Sequence, residues 1–415
     1  MTHKKEHTIL ILLGILLSIL TYRYALHSMT GILNDYNGHL YVYLPMFTQE
    51  NWLEGWQTVP YCMWHLCVLA LNKLLRIPLE VSGGYVSCFF TLAAYLVLYW
   101  MIRKVTSAKG CTDSSAKAAA VAFGLSMVQA LYFPWLDAGD RFMGVYSMNP
   151  IHNPTQMCVR VFSLLCICLA YDIWGIQKNE SYKGIFFRVE TGLKKYYILL
   201  SVLLLLSTLA KPTFVEVFVP TVALIMLVQW ISLLVKQDGS AKSYFKHCLN
   251  MLWCALPALL YILLQFVDYY IFGGNNNAET TIIITKWLEV WKMFSENIPL
   301  SILLGMAFPI FIILIDLPFF LHDDMGKLAL CCYAVGFFEA ALLGEGGEKL
   351  SHGNFLWPLM SAMLVIWIIS LLRLLMLERT SAQTKLQCFL IDCAWVLFWI
   401  HVFSGFMYIK SGLLG

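Results

Sequence analysis

The feature that most constrains this chain is the recurrence of continuous apolar runs of about 20 residues. Each is long enough to cross a hydrocarbon layer about 30 Å thick. Lipid offers no partners to backbone N–H and C=O groups, so each run must close its hydrogen bonds within itself, as a helix. The runs do not alternate polar with apolar residues, which excludes a transmembrane β-barrel. Composition points the same way: 60% of the 415 residues are hydrophobic and 13% are charged, against roughly 25% charged in a soluble domain. The expected fold is an all-α polytopic membrane protein, one integral membrane unit over residues 1–415.

A net charge of +3 without a basic run gives no reason to expect a nucleic-acid partner. Most of the 13 cysteines lie inside apolar runs, Cys331 and Cys332 are adjacent, and no CxxC occurs. Neither a disulfide framework nor a zinc site is expected.

Lysines and arginines in short loops set orientation. Lys4 and Lys5 place the N-terminus in the cytoplasm, and the first span, 8–28, carries no small-residue cleavage site after it. The short run 66–75 follows Pro60-Tyr61-Cys62-Met63-Trp64-His65. If it crossed, Arg103, Lys104 and Lys109 would face outward. It is therefore read as a helix lying on the outer surface, within a first external loop 29–81. Ten more spans then alternate: 82–102, 116–133, 156–176, 197–210, 214–235, 248–272, 300–320, 328–343, 355–377 and 388–409. That makes about eleven, with the C-terminus outside. Lys178, Lys183, Arg188, Lys194 and Lys195 fall in one cytoplasmic loop. A surface helix bearing Trp287 and Trp291 is expected in the external loop 273–299.

On this topology the polar clusters gather on the external face. Asp35 follows the first span, and a carboxylate there can act as general base on a hydroxyl. The competing reading is a turn, since Asn34-Asp35 and Asn37-Gly38 are good turn residues; His39 lies just beyond. Asp137 and Asp140 can share a divalent cation or simply pair with Arg141. His152 and Asn153 precede a span that Thr155 can cap. Lys211, ahead of Pro212, either snorkels to the interface or binds an anion beside the next helix N-terminus. Arg160 and Glu216, inside spans near their outer ends, can line the same cavity. The loop 344–357 holds Glu345, Glu348, His352 and Asn354 between glycines and the aromatics Phe355 and Trp357, a pairing that suits a sugar face as well as an interfacial belt.

This layout resembles the GT-C superfold of membrane glycosyltransferases. The resemblance rests on a first span followed by an external loop with Asp35, a Pro-started surface helix from Pro60 with Trp64-His65, and a span ending in Arg103-Lys104. It covers residues 1–110 by motif layout and 111–415 by topology. Asp35 is followed by Tyr36 and Asn37, so the usual paired acidic motif is missing. The resemblance implies inverting transfer of a sugar from a polyprenyl-phosphate carrier to a glycan, lipid or protein acceptor at the outer face of the plasma (inner) membrane. Asp35 would act on the acceptor or help hold a divalent cation. Lys211 and Arg160 would hold the donor phosphate, and Glu345, His352 and Asn354 would orient sugar or acceptor. A transporter or flippase of lipid-linked glycans is the alternative, although no internal repeat or midplane acid chain supports it. A surface-glycan polymerase or ligase is a third reading.

Overall fold

The computed structural model describes residues 3–30, 35–48, 52–59, 61–108, 115–131, 133, 147–179, 181–187, 193–271, 281–295, 297–377 and 384–414. In chain order the helices are α1 (His3–Thr30), α2 (Asp35–Asn37), α3 (Trp52–Thr58), α4 (Met63–Leu75), α5 (Leu79–Ala108), α6 (Ser115–Met127), α7 (Pro154–Lys178) and α8 (Leu193–Ala210). After these come α9 (Thr213–Val235), α10 (Ala241–Phe266), α11 (Glu289–Lys292), α12 (Ile298–Ile315), α13 (Leu317–His322), α14 (Asp324–Leu342), α15 (Leu356–Leu377) and α16 (Lys385–Leu414). The strands β1 (Ile282–Ile284) and β2 (Leu343–Glu345) pair antiparallel, with Ile283 opposite Gly344.

Ten of these helices are long and apolar enough to span a bilayer, so the protein is an integral membrane protein of the all-α class. The run 66–75 lies in α4, whose 13 residues are short of a span. Trp64, His65, Val68 and Leu69 form its buried side, and it packs on α5.

The expected span 116–133 takes a different form. Its helix, α6, stops at Met127, and residues 128–130 continue as buried chain without regular secondary structure. Non-helical backbone survives at membrane depth only where protein satisfies it. Here the Gln129 N–H donates to the His401 carbonyl, and Leu131 N–H to the Leu304 carbonyl. The His401 ring donates through Nδ1 to the Gln129 carbonyl at 2.7 Å, and the Ser404 hydroxyl donates to the Ala130 carbonyl. Close approach to α16 depends on Gly405, where an added Cβ would sit 1.6 Å from the Met127 carbonyl oxygen. That collision is with backbone and cannot be relieved by a rotamer. Gly405→Ala is expected to destabilise by more than the ~1–3 kcal/mol typical of overpacking, read as a lower thermal midpoint in detergent.

Helix α15 is apolar all round and is buried along nearly its whole length, as expected of a helix enclosed by others. Around it stand α5, α9, α12, α14 and α16. Outward-facing apolar side chains on α1, α8, α10 and α16, such as Ile11, Ile198, Trp253 and Phe403, suit contact with lipid.

The two ends of the bundle differ. At one end two ion pairs and a buried carboxylate tie the elements together. Lys178 bonds Asp324 at 2.6 Å, and Arg373 Nε bonds Asp316 at 2.6 Å. Asp172 accepts from the N–H groups of Ile185, Phe186 and Phe187 at 2.6–2.8 Å, pinning that loop to α7. The opposite end gathers the end of α1, the starts of α7, α9 and α15, and the ends of α8, α10 and α14. That is where the candidate site lies.

Candidate functional site

Lys211 is the centre of this end. Helix α8 stops at Ala210 and α9 starts at Thr213, because Pro212 has no N–H to continue the ladder. The break turns the Lys211 side chain inward, where it is 7% exposed. Its Nζ lies 4.1 Å from the centroid of the Trp357 ring and 5.5 Å from that of Tyr61. Such a contact is worth up to about 2 kcal/mol when desolvated. Among the described residues Lys211 has no carboxylate within ion-pair distance. Burial lowers its pKa to about 8, with Asp35 and then Glu216 opposing the shift. The side chain is therefore mostly charged at neutral pH.

The ammonium faces a cavity of about 230 Å³ that Glu216, Gln265, Glu345, Asn354, Tyr61 and Trp357 also line. Glu216 lies on the first turn of α9, one turn past Thr213. Asn354 Nδ2 donates to Glu345 Oε2 at 2.7 Å, and Glu345 is held in place by the β1–β2 pairing. The sequence offered no sign of that ribbon, because Ile282–Ile284 reads like any short apolar run. Below the cavity Gln156 ties three helices together. Its Nε2 donates to Ser361 at 2.9 Å, and its Oε1 accepts from Thr213 at 2.9 Å. This clamp fixes α7, α9 and α15 relative to one another.

Asp35 is next to the cavity and does not line it. Asn153 Nδ2 donates to Asp35 Oδ2 at 3.2 Å, across 118 residues of sequence. Asn153 Oδ1 also accepts from Gln156 N at 2.8 Å, so Asn153, with Pro154 following, caps α7. Thr155, expected in that role, instead donates its hydroxyl to Asn153 Oδ1. His152 is buried and its ring lies 5.5 Å from that of Trp357. Burial lowers its pKa to about 4, against the pull of Asp35.

The remaining expected residues are dispersed. His39 is buried, and its Nδ1 lies 3.2 Å from His65 Nε2. Burial, then His65 and Lys211, hold His39 well below the usual imidazole range, while burial takes His65 to about 3. Both rings are neutral, one donating and the other accepting. Arg160 does not join Lys211; it lines two smaller cavities deeper along α7. His352 is exposed at the end of a 3-10 turn, Gly347–His352. Glu348 belongs to that turn, and its side chain lies outside the described residues, as do Asp137, Asp140 and Arg141 entirely. Among the described residues no three His, Cys, Asp or Glu side chains form a metal-ligand group.

A second, apolar cavity of about 300 Å³ lies between α8, α9 and α10. It shares helix faces with the first. On α9, Glu216 of the upper cavity is followed at helical spacing by Val219, Ala223, Leu227 and Trp230 of the lower one. On α10, Gln265 and Ile262 of the upper cavity are followed by Ala255, Leu252, Cys248 and Phe245. The α9 stripe from Glu216 to Trp230 runs about 21 Å at 1.5 Å per residue.

Compared with protein-family models, curated proteins and solved structures, the chain matches none.

Proposed function

We propose that the protein is a membrane glycosyltransferase of the GT-C type that takes its sugar from a polyprenyl-phosphate carrier. The observation that carries this reading is the union of a buried ammonium at Lys211, without a carboxylate in ion-pair distance among the described residues, with an apolar stripe of about 21 Å leading away from it. An amphiphile with an anionic head and a long apolar tail matches both parts. The break between α8 and α9 adds the N-terminal N–H groups of α9, which favour an anion. Trp357 and Tyr61, with Glu345 and Asn354, offer a sugar both an aromatic face and hydrogen-bonding partners.

In the reaction the acceptor hydroxyl oxygen bonds to the anomeric carbon as the carbon–oxygen bond to phosphate breaks. The proton passes to a carboxylate, and Lys211 stabilises the charge left on the phosphate. Glu216 lines the cavity and is the better placed base; Asp35 orients Asn153 and adds to the field at Lys211. A transfer assay with a polyprenyl-phosphate sugar separates the roles. Glu216→Gln is expected to lower kcat by about 100-fold or more, the usual loss on removing a general base. Asp35→Asn, which keeps the Asn153 contact sterically, is expected to lose under tenfold. Equal losses would move the base to Asp35, and absence of transfer by the wild type with every donor tried would sink the enzyme reading.

A further inference from the structure

We propose that Arg160 holds a small monovalent anion of the chloride class inside the bundle. Arg160 lies two turns into α7, only 6% exposed. One terminal nitrogen, Nη2, donates to the Leu125 carbonyl at 3.1 Å. Its Nε is buried without a hydrogen-bond partner. Among the described residues no carboxylate lies within ion-pair distance of it. A guanidinium does not shed its proton in proteins, and an uncompensated buried charge is strongly destabilising. Something at this position must carry the opposite charge.

The neighbourhood selects the ligand. Arg160 lines a cavity of about 20 Å³ together with Thr21, Thr91, Ser126 and Asn149. The hydroxyls of Thr21 and Thr91 are buried and also lack partners. Ser126 has already committed its hydroxyl to the Ala122 carbonyl, and the Asn149 side-chain amide donates to the Ser126 carbonyl. What is left facing the cavity is a charged N–H and two hydroxyls able to donate. Three unpartnered donors on residues that line one cavity, one of them cationic, with no carboxylate among the lining residues, fit an anion and repel a cation. The volume is about that of one small sphere and little more than a water needs, which admits a halide and is too small for phosphate or sulfate. A water would fill the space without neutralising the guanidinium. The site rests on none of the residues assigned to sugar transfer, so it stands or falls independently of that reading.

The test is thermal unfolding of the purified full chain at constant ionic strength, with chloride, bromide or gluconate as the anion. Wild type should gain several degrees in midpoint with chloride or bromide over gluconate, the gain growing with the logarithm of concentration above the dissociation constant, since a ligand that binds only the native state stabilises it by RT ln(1 + [L]/Kd). Arg160→Gln should abolish that dependence. Because that variant is at risk of not folding, Thr21→Val with Thr91→Val serves as the second arm. It keeps the side-chain shape and should raise at least tenfold the chloride concentration needed for a given rise in midpoint. Equal midpoints in chloride and gluconate for wild type, or the same chloride dependence in the threonine variant, would overturn the proposal.

Discussion

Lys211→Met should cut kcat/KM for sugar transfer from a polyprenyl-phosphate donor by roughly three orders of magnitude. Methionine keeps the length and most of the packing against Trp357 and Tyr61, so the change isolates the charge. Losing one partner of a buried charge contact costs about 2–5 kcal/mol, and each 1.4 kcal/mol is tenfold. Wild-type activity should carry the same signature in its pH profile. The ammonium has its pKa lowered to about 8 by burial, so it is present below pH 8 and lost above it. Donor affinity should fall through that window in wild type and be flat in the methionine variant. A variant that retains wild-type kcat/KM would remove Lys211 from the donor site.

The second large effect concerns acid. His39, His65 and His152 are buried as neutral rings with pKa values below the ordinary 6.5, that of His65 at about 3 and that of His152 at about 4. A group whose folded pKa is depressed favours the native state above its unfolded pKa. That advantage is lost as pH falls below 6.5, because the unfolded chain takes up the proton first. At pH 5 His65 and His152 have each lost about 2 kcal/mol, from 1.36 kcal/mol per pH unit, and His39 adds to the loss in the same direction. Thermal midpoints in detergent should drop steeply between pH 6.5 and 5. His39→Gln with His65→Leu should flatten much of the slope. An unchanged slope in that variant would place the acid-sensitive groups elsewhere.

Much of the architecture was legible because apolar run length is a one-dimensional quantity. Ten helices fall on the expected runs, within several residues at their ends, and the short run after His65 is the 13-residue helix α4. The failure over 116–133 is physical. Composition cannot tell a helix from irregular chain that another helix satisfies, and the hydrogen bonds that release Gln129 and Ala130 from helix come from His401 and Ser404, 272 and 274 residues away. Likewise the site was legible in part. Alternation of spans brought Asp35, Asn153, Lys211, Glu345 and Asn354 to one end, where Asp35 bonds Asn153 and the other three line one cavity. Which side chains face the cavity depends on helix rotation, which a polar residue near the end of an apolar run does not report. So Glu216, read only as a charge near a helix end, lines the cavity, while His39 and Arg160 point into separate buried environments.

On the proposed function the Lys211 cavity and the apolar stripe between α9 and α10 together receive a lipid-linked phosphate. Equilibrium binding of a polyprenyl phosphate to the full chain in nanodiscs tests it most directly, comparing wild type, Lys211→Met and Ala223→Trp, which fills the stripe. Saturable wild-type binding that weakens from pH 7 to pH 9, with at least 100-fold weaker binding in each variant, is the predicted result. Binding of equal strength in all three proteins would contradict it.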